Sequence, residues 1–138
     1  MKTRVLYFSG KGKMATYAEI LAKKFETKED VIPPAYPCDK EKLVILGISV
    51  KNGMPDLFLR FCKELSAARA ANVALFVDGN EQALAPITEA IRTAGANVLE
   101  PVFFCKGGLP FKFAKKVTAE EKDAICAWAD GLVATLSV

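Results

Sequence analysis

The sequence predicts a single α/β domain in which a parallel sheet carries helices on both faces. Short, continuous apolar runs, typical of strands covered on both sides, alternate along the chain with longer segments of helical period. The length of 138 residues is that of one ordinary domain, residues 1–138, and 51% of them are apolar, enough to build a core. An alternation of this kind predicts a doubly wound sheet, because right-handed crossovers place helices on both of its faces.

The first two strands and the first helix follow from the spacing of apolar residues. Val5 to Phe8 is an apolar run that ends at the turn-prone pair Ser9-Gly10, which predicts the first strand. From Met14 to Phe25 the apolar residues recur at three- and four-residue spacing, as on one face of an amphipathic helix. Val31-Ile32 predicts only a short second strand, because the prolines that follow cannot donate to a ladder.

Two further strand-helix units continue the pattern. Leu43 to Leu46 predicts the third strand, and the apolar face from Met54 to Leu65 predicts the second helix. Val73 to Val77 predicts the fourth strand, and the helix after it extends from Leu84 to Ala94, where Gly95 ends it.

The last strand and the last helix complete the domain. Val98-Leu99 and Val102 to Phe104 are strand-like, and Pro101 between them indicates a sheet edge or a bulge. Thr118-Ala119-Glu120-Glu121 has the pattern of a capping box, which predicts the start of a terminal helix. The apolar stripe of that helix is Ile125, Trp128, Ala129, Leu132 and Leu136.

Composition excludes several classes of chemistry. The chain has no histidine, which rules out Ser-His-Asp and Cys-His catalysis. Its four cysteines, Cys38, Cys62, Cys105 and Cys126, are too far apart for a CxxC motif or a zinc knuckle, and we expect reduced, packed thiols and no metal. No stretch approaches the ~18 apolar residues of a membrane span, so we expect a cytoplasmic protein with no membrane partner.

The loops at the carboxyl ends of the strands are the expected ligand site of such a sheet: residues 9–14, 49–54, 78–82 and 105–116. The first is Ser9-Gly10-Lys11-Gly12-Lys13-Met14, between a strand and a helix. Its glycines allow close backbone approach, the helix amino terminus offers unpaired N–H groups, and two lysines add charge. The loop therefore predicts an anion site, with a plain turn bearing solvated lysines as the alternative.

Two nucleotide motifs can be compared with this loop. A Walker loop fails, because Tyr7 stands where its first glycine belongs and Met14 follows Lys13 in place of a hydroxyl residue. The dinucleotide pattern G-x-G-x-x-A is met by Gly10, Gly12 and Ala15, with Glu29 or Asp30 at about the distance of a ribose contact. A small nucleotide-binding domain therefore stays open as one reading.

The run Tyr7-Phe8-Ser9-Gly10-Lys11-Gly12-Lys13-Met14, with Ala18 to Ala22 after it, resembles the start of a flavodoxin. Leu43 to Gly47 and Val73 to Phe76 resemble the third and fourth strands of that family, and the length is that of a short-chain member. The resemblance implies a five-stranded parallel sheet in the order 2-1-3-4-5 and an FMN whose phosphate contacts residues 9–14. Ser9, Gly10 and Gly12 match the family's phosphate loop.

The departures from that loop are specific. Lys11 and Met14 replace two hydroxyl residues, and Lys13 replaces an asparagine. Lysine can supply charge where a hydroxyl would supply a hydrogen bond, although it positions a phosphate less specifically. The sequence thus indicates an altered FMN phosphate site.

Two more loops would flank the flavin ring if the resemblance holds. Residues Val50, Lys51, Asn52, Gly53 and Met54 form one, in which only Met54 offers a stacking side chain. Asp78, Gly79 and Asn80 begin the other, which has no aromatic residue. Phe111 and Phe113, in the loop after the last strand, could instead cover a ligand or pin that loop to the core.

Lysines outnumber acids at this edge. The lysines are Lys11, Lys13, Lys51, Lys106, Lys112, Lys115 and Lys116; the acids are Asp56, Asp78 and Glu81. A positive edge favours a small anionic ligand or an acidic redox partner protein, and no nucleic-acid motif accompanies it. Beside Lys106, Cys105 is either a reactive thiol or a packed cysteine.

Three functions follow from these patterns. The first is a flavodoxin-like protein that binds FMN and transfers electrons. The second is a flavodoxin-fold module that has lost FMN and binds another phosphate-bearing ligand or a protein partner, and the third is the small nucleotide-binding domain. An electron carrier or binding module is favoured over a stand-alone enzyme, because the loops hold no catalytic constellation.

Overall fold

The computed structural model describes residues 2–8, 13–50, 53–105 and 117–136, which form a parallel sheet with α-helices on both faces. The strands are β1 Thr3–Phe8, β2 Glu29–Ile32, β3 Glu41–Ser49, β4 Ala70–Asp78, β5 Asn97–Val98 and β6 Phe103–Phe104. The helices are α1 Met14–Lys24, α2 Asp56–Cys62, α3 Leu84–Ala94 and α4 Ala119–Leu136, with a 3-10 turn at Glu81–Ala83.

The strand order is β2-β1-β3-β4-β5, and every pairing is parallel. This confirms the predicted fold class and the strand order 2-1-3-4-5. The chain moves from β1 outward to β2 and then crosses to β3 on the other side of β1. The order therefore reverses between β1 and β3, which makes their carboxyl ends the switch point at which ligands bind in sheets of this kind.

The fifth strand position is divided into two short strands. β5 and β6 both pair with β4, at its two ends. The Leu99 N–H donates to the Val73 carbonyl at 2.8 Å and the Cys105 N–H to the Val77 carbonyl at 2.9 Å. Between them Pro101, which has no N–H, lies outside the strands. The expected interruption at the sheet edge is confirmed, and its form is a gap between two strands.

Two apolar clusters, one on each face of the sheet, explain the continuous apolar runs. Alternate residues of β3 point to opposite faces, so Leu43 and Ile45 join one cluster while Val44 and Leu46 join the other. The first cluster packs against α1 and α4, and the second against α2 and α3. Both faces of the central strands are therefore buried.

Helix boundaries follow local chemistry. α2 begins at Asp56, later than the predicted Met54, and Pro55 directly before it has an extended backbone (ψ 132°). It also ends earlier than predicted, at Cys62, although Leu65 beyond it is buried. α3 ends at Gly95, whose φ of 118° favours glycine, as the sequence predicts.

The cysteines and the helix lengths complete the description. Cys38, Cys62, Cys105 and Cys126 are all free, and the first two are buried. In the four described stretches of chain, no helix has both the length and the apolarity needed to span a bilayer.

Candidate functional site

The carboxyl edge of the sheet brings together eight of the fourteen residues that the sequence predicts as ligand contacts. These are Lys13, Met14, Val50, Gly53, Met54, Asp78, Gly79 and Asn80. Ser9, Gly10, Lys11, Gly12, Lys51 and Asn52 lie outside the described residues, as do Phe111, Phe113 and the lysines of residues 106–116.

Lys13, the residue directly before α1, is engaged with α4. Its Nζ donates to both carboxylate oxygens of Glu121 at 2.9 Å, and its side chain is only 15% exposed. Glu121 is 108 residues away along the chain. The sequence predicts Lys13 as a phosphate contact, and in the structure its ammonium forms an ion pair with Glu121.

Glu121 accepts hydrogen bonds from three residues. The Thr118 N–H donates to its Oε1 at 3.0 Å, the Tyr17 hydroxyl to its Oε2 at 3.0 Å, and Lys13 to both oxygens. Burial works against the charged carboxylate, yet the hydrogen bonds from Thr118, Lys13 and Tyr17 prevail and lower the pKa of Glu121 from 4.5 to about 2. The carboxylate is therefore ionised at neutral pH.

Tyr17 connects the hydrogen-bonded group of Lys13, Tyr17 and Glu121 to the core. It is 1% exposed, and its ring contacts Phe76 and Phe103 edge-on, with centroid distances of 6.4 and 6.2 Å. Burial, the hydrogen bond to Glu121 and the nearby Asp78 carboxylate raise the pKa of Tyr17. The phenol is thus a neutral hydrogen-bond donor.

Glu121, the partner of Lys13, and Tyr17, which donates to Glu121, were not identified as site residues from the sequence. Glu121 gives a sequence signal only as the fourth residue of the capping box, and Tyr17 gives none beyond its place on α1. Their pairing depends on the contact between α1 and α4, which single-sequence periodicity does not report.

Asp78 ends β4 as a buried carboxylate, 4% exposed. Ser49, its register partner at the end of β3, donates from Oγ to Asp78 Oδ2 at 3.0 Å, and the Val50 N–H donates to the Asp78 carbonyl at 2.9 Å. At Gly79 a Cβ would lie 2.3 Å from Val50 Cγ2. The loops after β3 and β4 are therefore in close contact.

Met54, the one side chain predicted to stack on a ring, is partly used by the core. Met54 and Val50 are half-buried and pack against the cluster on the α2 and α3 face. The Gly53 N–H donates to the Val50 carbonyl at 3.1 Å and closes a turn in which Gly53 has a φ of 100°. Asn80 Oδ1 accepts from the Ala83 N–H at 3.2 Å and caps the 3-10 turn.

Cys105 is a packed thiol. Its Sγ lies 3.8 Å from Met14 Sδ. Burial, followed by the negative charge of Asp78, raises the pKa of Cys105 to about 12. Because the thiolate is the reactive form, this supports the packed interpretation over the reactive one.

The amino terminus of α1 has the properties of an anion site. Lys13 at the cap position makes no side-chain capping bond, and the first turn contains no acidic residue. The first N–H groups of a helix have no partner within it, and the helix dipole places partial positive charge there.

The acidic residues required by the dinucleotide reading lie elsewhere. Glu29 and Asp30 begin β2 in register with Val5 and Leu6, well before the carboxyl end of that strand at Ile32. The Asp30 carboxylate accepts from the N–H groups of Val31 and Ala35. The arrangement that would have supported a ribose contact is therefore absent from β2.

Comparison with known proteins gives no family for this chain. No family model matches the sequence, and no curated protein matches it. The fold and the carboxyl edge are the observations from which a function can be inferred.

Proposed function

We propose that this protein is flavodoxin-like, binds FMN at the carboxyl edge of the sheet and acts in electron transfer. The observation that carries the proposal is the position of the amino terminus of α1 at the switch point between β1 and β3. A phosphate there would accept hydrogen bonds from backbone N–H groups and would benefit from the helix dipole.

This edge offers more to the phosphate of FMN than to its isoalloxazine ring. The phosphate would lie against residues 9–14, and the ring against residues 50–54 and 78–80. Bound FMN would supply the one- and two-electron chemistry of the flavin, and the chain would supply binding and orientation. Its transfer partner would be a redox protein, and no catalytic side chain is required.

A second candidate is a module of the same fold that binds a different phosphate-bearing ligand or a protein partner. Two observations favour it. Met54 and Val50 are half-buried against the core, and among the described loop residues none is aromatic. Without a stacking side chain the ring of a flavin would gain little contact area.

Titration of the purified apoprotein with FMN and riboflavin, followed by flavin fluorescence, tests the proposal. We expect saturable FMN binding at least tenfold tighter than riboflavin, because only FMN carries the phosphate. Ser9→Ala should weaken FMN binding, whereas Ser66→Ala, before the amino end of β4, should not. Equal, weak binding of both flavins would contradict the FMN proposal, and binding of inorganic phosphate alone would favour the second candidate.

Electron transfer requires its own measurement. The FMN complex should bleach on reduction with dithionite under anaerobic conditions and regain its yellow colour with an added electron acceptor. A complex that loses FMN on reduction would contradict a role as an electron carrier.

A further inference from the structure

We propose that this chain forms a weak two-fold dimer through the groove between α2 and α3. The groove lies on the face of the sheet that these two helices cover, and the residues that line it include Leu59, Lys63, Pro86, Glu89, Ala90 and Ala94. None of them belongs to the loops of the carboxyl edge, so the inference does not depend on the proposed function. The occupant of the groove is a second copy of the same chain.

The walls of the groove are largely apolar, and the α3 wall is made of small residues. Leu59 on α2 is half-buried, and Pro86, Ala90 and Ala94 come from α3. The groove is open to solvent and has a volume of about 560 Å³. Small side chains allow a neighbouring helix to approach closely, because the side chains at the contact set the distance between packed helices.

One charge of each sign borders the groove. Lys63 directly follows α2, Glu89 lies on α3, and both residues are exposed. In the described part of the chain neither of them forms an ion pair, although Arg60 and Asp56 of α2 pair with each other at 2.9 Å. The groove is therefore neutral, and both of its charges are available to a partner.

Two-fold symmetry matches such a groove to itself. In a two-fold interface both copies contribute the same patch, so each cation has to face an anion of that patch. An axis along the groove places α2 of one copy over α3 of the other. Lys63 of each copy then faces Glu89 of the other copy, and the like charges stay apart.

The groove between α1 and α4, on the opposite face of the sheet, lacks this property. Lys23, Lys24 and Lys122 line it together with Glu19, which leaves an excess of positive charge. Two copies facing each other there would bring lysines together and repel each other. The charges thus favour a second copy at the α2 and α3 groove and disfavour one at the α1 and α4 groove.

The size of the face sets the expected strength of the dimer. The longer helix, α3, has 11 residues and is ~16 Å long, and the two helices side by side present a face roughly 20 Å wide. Two such faces bury roughly 600–700 Å², less than the ~1,200 Å² at which stable interfaces begin. We expect a reversible dimer with a dissociation constant of roughly 10–500 µM.

Sedimentation equilibrium under reducing conditions, from about 10 µM to about 1 mM protein, measures the association. Lys63→Glu and Glu89→Lys each turn both attractive pairs into repulsive ones, and each should raise the dissociation constant at least about tenfold at low salt. The double variant Lys63→Glu/Glu89→Lys should return it to within about threefold of the natural protein.

An equimolar mixture of the two single variants is the sharpest arm of the experiment. In Lys63→Glu the groove carries two negative charges, and in Glu89→Lys it carries two positive ones. Each variant alone should therefore stay largely monomeric, whereas the mixture should form a heterodimer about as tight as the natural dimer.

Lys23→Glu and Glu19→Lys are the matched controls. These two residues form an exposed ion pair beside the α1 and α4 groove, and their substitution changes the net charge by the same amounts. Each control should alter the dissociation constant less than about twofold at moderate salt. In the natural protein, the amide shifts of Ala90 and Thr93 should depend on protein concentration, and those of Ile20 and Cys126 should not.

Four results would overturn the inference. One is a natural protein that stays monomeric at about 1 mM. Another is a dimer that the substitutions at Lys63 and Glu89 weaken no more than the controls do, because the contact would then lie on another surface. The third is a mixture that does not associate although circular dichroism shows both single variants to be folded. The fourth is concentration-dependent amide shifts at Ile20 and Cys126 with none at Ala90 and Thr93.

Discussion

Glu121 connects the stability of the protein to acid pH. Its pKa is lowered from 4.5 to about 2 in the folded protein, so ionised Glu121 stabilises the fold above pH 4.5. This contribution is lost as the pH falls from 4.5 towards 2, because the unfolded chain then binds a proton that has to be released on folding.

We therefore predict that Glu121→Gln destabilises the protein by a constant amount above about pH 5, of the order of 2–3 kcal/mol. Below pH 4.5 the difference from the natural protein should shrink. Urea unfolding between pH 2.5 and 7 measures the difference in unfolding free energy between Glu121→Gln and the natural protein. A difference that is the same at pH 3 and pH 7 would show that the Glu121 charge contributes nothing to folding.

Gly47 is required by the packing of Phe76. A Cβ at Gly47 would lie 2.1 Å from Phe76 Cζ, and Phe76 is fully buried against Tyr17. Gly47→Ala should lower the free energy of unfolding by about 1–3 kcal/mol, because the ring has to move in a packed core.

Gly131→Ala is the matched control for that substitution. Gly131 lies in α4, and a Cβ there would meet nothing within 4 Å. Gly131→Ala should raise the free energy of unfolding by roughly 0.5–1 kcal/mol through the higher helix propensity of alanine. Chemical denaturation of both variants compares them, and a neutral Gly47→Ala would contradict the observed contact.

For single residues, the sequence predicts contacts between residues that are close along the chain better than contacts between distant ones. The capping box at Thr118 and Glu121 was predicted and is confirmed, since both partners lie within four residues. The pairing of Glu121 with Lys13 and Tyr17 spans more than 100 residues and depends on how α1 packs against α4. No pattern in a single sequence encodes that contact.

The side chain of Thr118 caps the start of α4. The Glu121 N–H donates to Thr118 Oγ1 at 3.1 Å, which completes the capping box. Thr118→Ala should destabilise the protein by about 1 kcal/mol through loss of the cap. Thr135→Ala, at the other end of the helix, removes only a bond from the Thr135 hydroxyl to the Gly131 carbonyl and should not destabilise it.

Thermal or urea unfolding at neutral pH compares the two threonine variants. Equal effects from both would mean that the capping box does not stabilise α4.

The helices and strands that the sequence predicts best are those with a clear local spacing of apolar residues. α1, α3 and α4 were predicted from amphipathic spacing, and the structure confirms them. The end of α2 at Cys62 was not predicted, because buried Leu65 continues the apolar spacing after the helix stops. β2 was predicted only weakly, since four residues before a proline are fixed chiefly by their pairing with β1.

For the whole molecule, position in the sheet determines local stability. β3 and β4 each have nine residues and lie in the middle of the sheet, whereas β5 and β6 have two residues each at its edge. We predict that amide hydrogens of β3 and β4 exchange most slowly with solvent and those of β5 and β6 fastest among the strands. Exchange measured by NMR tests this, and strong protection of the Phe104 amide would contradict it.

Amide chemical-shift mapping with FMN tests whether FMN binds through its phosphate at the switch point. We expect saturable shifts of Phe8, Lys13, Met14, Val50 and Asp78, with none at the amino ends of the strands, such as Glu41 and Ala70. Riboflavin at the same concentration should leave the Lys13 and Met14 amides unchanged. Largest shifts in the groove between α1 and α4 at Ile20 and Cys126, or no shifts at all, would contradict the claim.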